Sequence, residues 1–411
     1  MNDVVVVGGG PAGSTVAALA AEQGLRVMLL ERAPGPCFKI GESLMPGTYW
    51  TLERLGVLDK LKAGRFPEKY SVQFFSRTGR GSRPFYFFET NPHESSMTWQ
   101  VLRSEFDQIL LDNAAGKGAE VRRGVNVREV RFEGDRAVGV LARGAGGRSE
   151  EFGAKVVVDA TGQSALIARK LKIKTTEPEL KKASIYTHFE GGLRDSSIDA
   201  GATLVLHTRN EDSWFWYIPL PDDRVSVGVV GSLHYLLQGR REEPQQIFDG
   251  EVERCPALKR RLAGARQVFP VKVTRDFSYR ADRIAGHGWV LVGDAFGFLD
   301  PIYSSGVLLA LKSGEWAADS ILGAFEKDDF SPAQLGGFGP EFAAGMEAVR
   351  KLVYAFYTRK FSFAGFLRQF PQCKQGVIDI LSGDIFKDDV NSIFAPMAQM
   401  CRLPASRELR L

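Results

Sequence analysis

The first thirty residues constrain the fold most, because they combine a buried strand, a glycine-rich turn and a helix in that order. Val4 to Val7 is an apolar β-branched run, which suits a strand covered on both faces. Residues 8–13, Gly-Gly-Gly-Pro-Ala-Gly, follow directly and contain a G-x-G-x-x-G spacing. Such glycines permit a tight turn and let the backbone approach a pyrophosphate, which rests on the amides at the helix N-terminus.

The residues after this turn complete a dinucleotide-binding unit. A helix is predicted from Ser14 to Gln23, and the strand that follows runs into Glu31. Glu31 comes 23 residues after Gly8, close to the spacing at which an acidic residue hydrogen-bonds a ribose hydroxyl. The predicted dinucleotide-binding residues of this unit are Gly8, Gly10, Pro11, Ala12, Gly13, Glu31 and Arg32.

Later segments indicate which dinucleotide is bound. Residues 288–295 form an apolar run ending in Gly-Asp-Ala, which resembles the second flavin fingerprint of the p-hydroxybenzoate-hydroxylase-like family. That resemblance implies FAD, with Asp294 on the ribityl chain. The chain shows no second G-x-G-x-x-G, so no separate stable site for NAD(P)H is expected. Further residues that the resemblance implies for FAD are Ser43, Arg103 at the start of a helix, and Asp159 and Gly162 at an Ala-Thr-Gly turn.

Composition narrows the class of protein. With 411 residues, 44% of them apolar and 25% charged, the chain suits a globular protein of two domains. A net charge of +4 without a Lys/Arg block argues against nucleic-acid binding, and the absence of an 18-residue apolar stretch argues against a membrane span. The early first strand and four widely spaced cysteines predict a cytoplasmic protein with reduced thiols, no signal peptide and no metal site.

The signatures are interleaved along the chain, which predicts an α/β fold. We expect a Rossmann-like FAD-binding domain of the glutathione-reductase type, an antiparallel substrate sheet and a Phe-rich helical end that covers the substrate side. Residues 225–229 alternate polar and apolar side chains, as in a sheet with one covered face. The predicted boundaries are 1–63, 99–180 and 270–330 for the FAD-binding domain, 64–98 and 181–269 for the substrate sheet, and 331–411 for the helical region.

Residues 214–219, Trp-Phe-Trp-Tyr-Ile-Pro, place two indoles on one face of a predicted strand. Packing of aromatics into a core is the ordinary explanation of such a pair. The whole run, however, resembles the Trp-x-Trp-x-Ile-Pro signature of flavin-dependent halogenases, although Ser213 stands where these enzymes usually have Gly. The resemblance implies a wall beside the flavin, formed by Trp214, Trp216, Ile218 and Pro219.

Residues 300–307, Asp-Pro-Ile-Tyr-Ser-Ser-Gly-Val, resemble a run found in halogenases that act on phenols and pyrroles. A turn of small residues entering a helix offers free amides and the positive end of the helix dipole. We therefore predict a halide site at Ser305 and Gly306, with Val307 beside the flavin; the alternative is that these amides hold only the flavin. Tyr303 replaces a Glu of tryptophan halogenases, which argues against free tryptophan as substrate.

The segment around Lys69 resembles the one that bears the essential lysine of the same halogenases. A desolvated ammonium can hydrogen-bond hypohalous acid, and an amine can form a chloramine, so Lys69 is the predicted catalytic residue. Lys39, near the flavin segment 41–44, is a weaker candidate.

Together these resemblances imply a halogenase. FADH2 from a separate NAD(P)H-dependent flavin reductase would react with O2 and chloride or bromide, giving hypohalous acid that passes the indoles to Lys69. Lys69 would direct it onto an electron-rich phenol or pyrrole, either free or tethered to a carrier protein. The alternatives are an FAD-dependent aromatic hydroxylase, a geranylgeranyl-reductase-like enzyme and a non-catalytic flavin-binding protein.

Overall fold

A computed structural model describes residues 1–89, 91–144, 146–238, 240–275, 277–359 and 361–410. The strands are β1 (Asn2–Val7), β2 (Val27–Glu31), β3 (Glu68–Lys69), β4 (Ser71–Phe75), β5 (Phe85–Tyr86), β6 (Thr98–Trp99), β7 (Glu120–Arg123), β8 (Asn126–Glu133), β9 (Arg136–Arg143), β10 (Ser149–Asp159), β11 (Lys174–Thr176), β12 (Lys182–Glu190), β13 (Thr203–His207), β14 (Ser213–Pro219), β15 (Arg224–Ser232), β16 (Arg266–Gln267), β17 (Lys272–Arg275), β18 (Tyr279–Ala281), β19 (Ala285–Gly286), β20 (Trp289–Leu291) and β21 (Gly297–Phe298). The α-helices are α1 (Pro11–Glu22), α2 (Thr48–Arg54), α3 (Leu58–Lys62), α4 (Arg103–Gly116), α5 (Leu166–Lys170), α6 (Leu233–Leu236), α7 (Pro244–Glu253), α8 (Pro256–Arg261), α9 (Ser305–Lys327), α10 (Pro332–Leu335), α11 (Gly339–Phe356), α12 (Phe363–Gln369), α13 (Lys374–Ser382) and α14 (Phe394–Met397).

The first sheet has the strand order β19-β20-β10-β1-β2-β7, and its central strands are parallel. β1 is central and buried on both faces, as its run of valines predicts. Helix α1 packs closely on α9 at Gly314. A Cβ added there would lie only 2.6 Å from the carbonyl oxygen of Ala12. This arrangement confirms the predicted Rossmann-like α/β fold.

The second sheet has the strand order β16-β12-β15-β14-β13-β4-β5 and is antiparallel except where β13 and β4 run parallel. It collects the strands that the sequence predicts between residues 70 and 231. β17 also pairs with β12 in this sheet, so the start of the predicted segment 270–330 belongs by hydrogen bonding to the second sheet and not the first. The reason is that β17 lies antiparallel along the edge of β12. The three-part domain division as a whole stays a prediction.

The second sheet separates two hydrophobic cores. Phe215 and Tyr217 face a smaller core shared with α7 and α8. Trp214, Trp216 and Ile218, which alternate with them along β14, face the larger core that continues under the first sheet. The period-two alternation of a strand thus directs both indoles toward the first sheet.

The C-terminal region adds α10–α14 and then a segment without helix or strand over most of its length. Two arginines hydrogen-bond to the backbone of this last segment. Arg280 donates to the carbonyl oxygens of Arg407 and Glu408, and Arg350 donates to the carbonyl oxygen of Ala405. Across the described residues, every helix is too short or too polar to traverse a bilayer.

Candidate active site

The glycine turn between β1 and α1 is closed on one side and open on the other. Gly8 has φ +110°, and a Cβ there would lie 2.3 Å from the carbonyl oxygen of Ala160. A Cβ at Gly13 would lie 1.9 Å from the carbonyl oxygen of Gly8, whereas one at Gly10 would meet nothing within 4 Å. The turn therefore packs tightly against the sheet and leaves Gly10 facing a cavity of about 610 Å³ between the two sheets.

Two carboxylates order two different turns beside this cavity. Glu31 lines the cavity, and its oxygens accept hydrogen bonds from the amides of Gly9 and Ala33, both at 2.7 Å. Asp159 lies behind the cavity wall and accepts from Thr161 and from the amide of Ile167. Asp159 thus orders the turn after β10 and does not face the cavity, because its oxygens already bond to the chain that follows it. Gly162 in that turn lines the cavity.

Arg103 fixes a segment that crosses the cavity, residues 38–44. Its guanidinium donates to both carboxylate oxygens of Asp107 at 2.8 and 3.1 Å and to the carbonyl oxygen of Ile40 at 2.5 Å. Gly41 has φ +95°, and a Cβ there would lie 2.7 Å from Nη1 of Arg103. Burial raises the pKa of Asp294 and the nearby Arg103 opposes this effect, which leaves the pKa at about 6. An acidic and a basic side chain therefore lie together at this part of the cavity.

The N-terminus of α9 also reaches the cavity. Ser304 precedes it with φ +59°, and Ser304, Gly306 and Val307 line the cavity. Ser305 is buried behind them, and the halide site at Ser305 and Gly306 stays a prediction. The left-handed backbone at Ser304 turns the chain just before the helix. Amides in a first helical turn lack intrahelical acceptors and suit an anion.

Trp214 and Trp216, which we call the aromatic wall, line the cavity from the second sheet together with Ile218. Their ring centroids are 6.4 Å apart. The indole nitrogen of Trp216 donates to Ser226 at 3.1 Å, and its ring lies over Gly228, where a Cβ would be 2.2 Å from Cζ2. Pro219 lies outside the cavity lining and ends the strand, paired with Val225.

Behind the aromatic wall a hydrogen-bond chain leads to a buried carboxylate. The indole nitrogen of Trp214 donates to the hydroxyl of Tyr357 at 3.1 Å, and Tyr357 donates to Asp300 at 2.9 Å. Burial raises the pKa of Asp300 to about 6. Phe356 packs edge-on against Trp214, with ring centroids 6.0 Å apart. The Phe-rich C-terminal helices therefore support the wall from behind.

Lys69 lies one hydrogen bond behind the cavity surface. Its side chain is 3% exposed, and its Nζ donates to the hydroxyl of Ser43 at 2.9 Å and to the carbonyl oxygen of Leu44 at 2.7 Å. Ser43 lines the cavity and shares a 2.8 Å hydrogen bond with Thr203, which lines it too. Burial lowers the pKa of Lys69 to about 7, so a neutral amine is accessible near neutral pH. Lys39, by contrast, forms a half-exposed ion pair with Asp107.

Comparison with known proteins identifies the family. A family model described as an FAD binding domain matches residues 1–314. The 1H-pyrrole-2-carbonyl-[peptidyl-carrier protein] chlorinase of Pseudomonas fluorescens is 31% identical over 405 residues, covering 93% of this chain and 89% of that enzyme. This chain belongs to the flavin-dependent halogenases. It is an enzyme that uses FAD and a halide, and the hydroxylase, reductase and non-catalytic alternatives are set aside.

Two further flavin-dependent halogenases support the assignment. The 1H-pyrrole-2-carbonyl-[peptidyl-carrier protein] brominase of Pseudoalteromonas luteoviolacea is 31% identical, with 93% of this chain and 92% of that enzyme covered. The solved structure of the flavin-dependent brominase Bmp2 superimposes with a TM-score of 0.86 at 30% identity, covering 97% of this chain and 98% of that chain. The agreement extends over the whole halogenase, including the helical C-terminal region.

The cavity of this halogenase fits FAD. The open face of Gly10, the Glu31 carboxylate and the two helix N-termini offer the small backbone surfaces and amide donors that a dinucleotide needs. Of the predicted site residues, five lie behind the cavity surface, namely Gly13, Lys69, Asp159, Pro219 and Ser305. Those that line it are Gly8, Gly10, Pro11, Ala12, Glu31, Arg32, Ser43, Arg103, Gly162, Trp214, Trp216, Ile218, Asp294, Gly306 and Val307.

Sequence reasoning missed three residues of this site. Thr203 sits at the start of a predicted strand and gave no motif signal, and Tyr357 was placed only in a Phe-rich helical region. Asp300 belongs to a recognised run, but its bond to Tyr357 spans 57 residues. The available signal was chemical: Asp300 is an acidic residue in an otherwise apolar stretch, which predicts a buried partner.

Proposed function

We propose that this halogenase acts on an electron-rich pyrrole tethered to a carrier protein and that Lys69 directs the halogen onto the ring. One observation supports the substrate class: the two relatives named for pyrrole-2-carbonyl carriers match nearly the whole chain. A phenol is the second candidate, because the run from Asp300 to Val307 resembles halogenases of both groups.

When bound, FAD supplies the oxidising chemistry: FADH2, O2, a halide ion and one proton yield FAD, water and one hypohalous acid. We infer that a separate NAD(P)H-dependent flavin reductase supplies the FADH2. The residues that would hold the cofactor are those that line the cavity, with Glu31 near the ribose, Arg103 and Asp294 near the flavin, and the amides of Ser305 and Gly306 near the halide. The ring carbon then gains the halogen and releases a proton, which leaves with the hypohalite oxygen as water.

Lys69 carries the proposal. Its Nζ, 2.9 Å from Ser43 on the cavity surface, is buried enough that its pKa falls to about 7. In this state it can donate a hydrogen bond to hypohalous acid or react with it as an amine. The aromatic wall keeps a bulky substrate away from the cofactor, so oxidant reaches the ring through Ser43 and Lys69. Water exclusion also limits loss of the oxidant.

The test is a reconstituted assay with FAD, a flavin reductase, NADH and bromide. We expect monobrominated pyrrole-2-carbonyl on the carrier, detected by its isotope pattern in mass spectrometry, and little product from the free acid. Lys69→Met should lower product at least ~100-fold and leave FAD binding intact. Lys174→Met is the matched control, since burial also lowers the pKa of Lys174 but its Nζ packs on Tyr279 outside the cavity. Full turnover by Lys69→Met would remove Lys69 from the mechanism.

A further inference from the structure

A buried pair of a glutamate and a histidine at the cavity wall has no part in the function described so far. Glu42 belongs to the segment 38–44 and lines the cavity. His188 lies on β12, on the same face of the strand as the cavity-lining Tyr186. Nε2 of His188 and Oε1 of Glu42 are 2.8 Å apart, and each side chain is only 2% exposed. The pair joins the segment that Arg103 fixes to the second sheet.

The pair has unused hydrogen-bonding capacity. Nε2 of His188 and Oε1 of Glu42 are within hydrogen-bonding distance of each other. Within the described residues, neither atom has a further partner, and Nδ1 of His188 has none. Buried polar groups in folded proteins are nearly always satisfied, and an exception calls for a functional or ligand-based reason. Oε1 faces His188 and Glu42 also lines the cavity, so this carboxylate connects His188 with a group bound there.

The surroundings of the pair exclude solvent. The ring of Phe38 contacts His188 edge-on, with centroids 4.5 Å apart, and the ring of Phe269 lies 5.5 Å away. The charged or titratable groups nearest the pair are Arg103 from α4, Tyr186 from β12 and Lys272 from β17, whose Nζ lies 4.4 Å from the centroid of Phe38. A proton on this pair is consequently shielded from bulk water and has the cavity as its outlet.

We propose that the Glu42–His188 pair supplies the proton that hypohalous acid formation consumes. This inference rests on the proposed function. Dioxygen takes two electrons from FADH2 and two from the halide, its O–O bond breaks, and one oxygen bonds the halogen while the other leaves as water. Water and hypohalous acid together contain three protons. FADH2 supplies two of them, so the reaction needs one more. Glu42 delivers it into the cavity and recovers a proton from His188, and His188 regains its proton through Glu42 when water fills the cavity after FAD has left.

The alternative is that the pair only ties the segment 38–44 to the second sheet. A purely structural pair would affect folding and FAD affinity. A proton donor would instead affect the fraction of FADH2 oxidation that yields halogenated product. Without the donor, oxygen should still consume FADH2 but release hydrogen peroxide in place of halogenated product. The ratio of product to peroxide therefore separates the two roles.

The first test uses His188→Gln and Glu42→Gln, with Ser184→Ala as the matched control on the same strand. Ser184 is likewise buried, its hydroxyl has no partner among the residues that the structure describes, and it lies outside the cavity lining. We expect each pair variant to give about 100-fold less product per FADH2, with peroxide rising to match, and to lose the solvent deuterium isotope effect on product formation. The control should behave like wild type. Unchanged coupling in both pair variants, or loss of FAD binding in both, would overturn the inference.

The second test needs no turnover. The chain has five histidines, so ¹⁵N-histidine labelling gives few signals and His188→Gln assigns one of them. We expect the His188 ring resonances to shift when FADH2 and bromide are added without oxygen. If Glu42→Gln shifts these resonances but FADH2 and bromide do not, the role of the pair is structural only. An enzyme that fails to halogenate any tested substrate contradicts the proposed function, while this titration still decides the role of the pair.

Discussion

The two regions that line the cavity satisfy their polar groups in different ways. In the turn region, which is residues 8–13 with Glu31, the contacts are made mainly by the backbone. Each oxygen of Glu31 accepts a hydrogen bond from an amide, and the glycines let the turn pack closely against the sheet. In the wall region, the aromatic wall with Lys69 and Asp300 behind it, buried side chains bond to other side chains from distant parts of the chain.

The difference bears on how each region responds to pH and substitution. Burial shifts the pKa of both Lys69 and Asp300 toward neutrality, so the wall region changes charge near the pH at which the enzyme works. The turn region depends on shape and amide donors, which do not titrate. We therefore expect the wall to be sensitive to pH and the turn to be sensitive to added volume.

The largest expected effect concerns Lys69 and stability. Its folded-state pKa of about 7 lies below the ordinary value near 10.4, so between these pH values the unfolded chain binds a proton that the folded protein does not. Wild-type stability should therefore rise with pH across this window, by up to about 4 kcal/mol relative to Lys69→Met. Urea unfolding of both proteins from pH 6.5 to 10 measures the difference. Parallel pH profiles would show that Lys69 keeps an ordinary pKa.

The second prediction separates packing from binding within the turn region. Gly13→Ala places a Cβ 1.9 Å from a carbonyl oxygen and should lower the free energy of unfolding by about 3 kcal/mol. Gly10→Ala meets nothing within 4 Å and should leave stability unchanged, yet weaken FAD binding at least ~10-fold because this face is open to the cavity. Urea unfolding without FAD and a flavin-fluorescence titration measure the two effects. Equal destabilisation by both variants would contradict the packing described here.

Local patterns made the turn region predictable from sequence. A valine run, six residues of glycine-rich turn and an acidic residue at a set distance specify a strand, a turn and a contact within one supersecondary unit. The alternation along β14 was equally readable, since a strand directs residues two apart to one face. These inferences needed only the order of residues along a short stretch of chain.

The contacts of the wall region were not predictable in the same way. Lys69 bonds to Ser43 across 26 residues, and Trp214 bonds to Tyr357 across 143. The first contact depends on how the short β3–β6 pair lies on the segment 38–44, and the second on how the C-terminal helices pack against the second sheet. No local pattern specifies either arrangement. The same holds for Asp159 and Ser305: the motif located each residue, but the backbone direction at that point decided that a neighbour faces the cavity.

A third prediction tests the pH sensitivity of the wall at Asp300. Its folded-state pKa of about 6 exceeds the ordinary value near 3.9, so the folded protein binds a proton more readily than the unfolded chain. Wild-type stability should accordingly fall as pH rises from about 4 to 6, by about 2–3 kcal/mol relative to Asp300→Asn. Unfolding free energies at pH 4.5 and 7 provide the measurement. A constant difference between the two proteins would mean that Tyr357 and the local amides fully stabilise the carboxylate.

The smallest expected effect is the loss of stability when a side chain is added beneath the aromatic wall. Gly228→Ala puts a Cβ 2.2 Å from Cζ2 of Trp216, so the indole must move or the strand must shift, at a cost of about 1–2 kcal/mol. Trp216→Phe removes the clashing atoms, and adding it to Gly228→Ala should recover about 1 kcal/mol. A double-mutant cycle from urea unfolding measures this coupling. Strictly additive energies would mean that the indole does not rest on Gly228, and the wall would then share none of the shape dependence of the glycine turn.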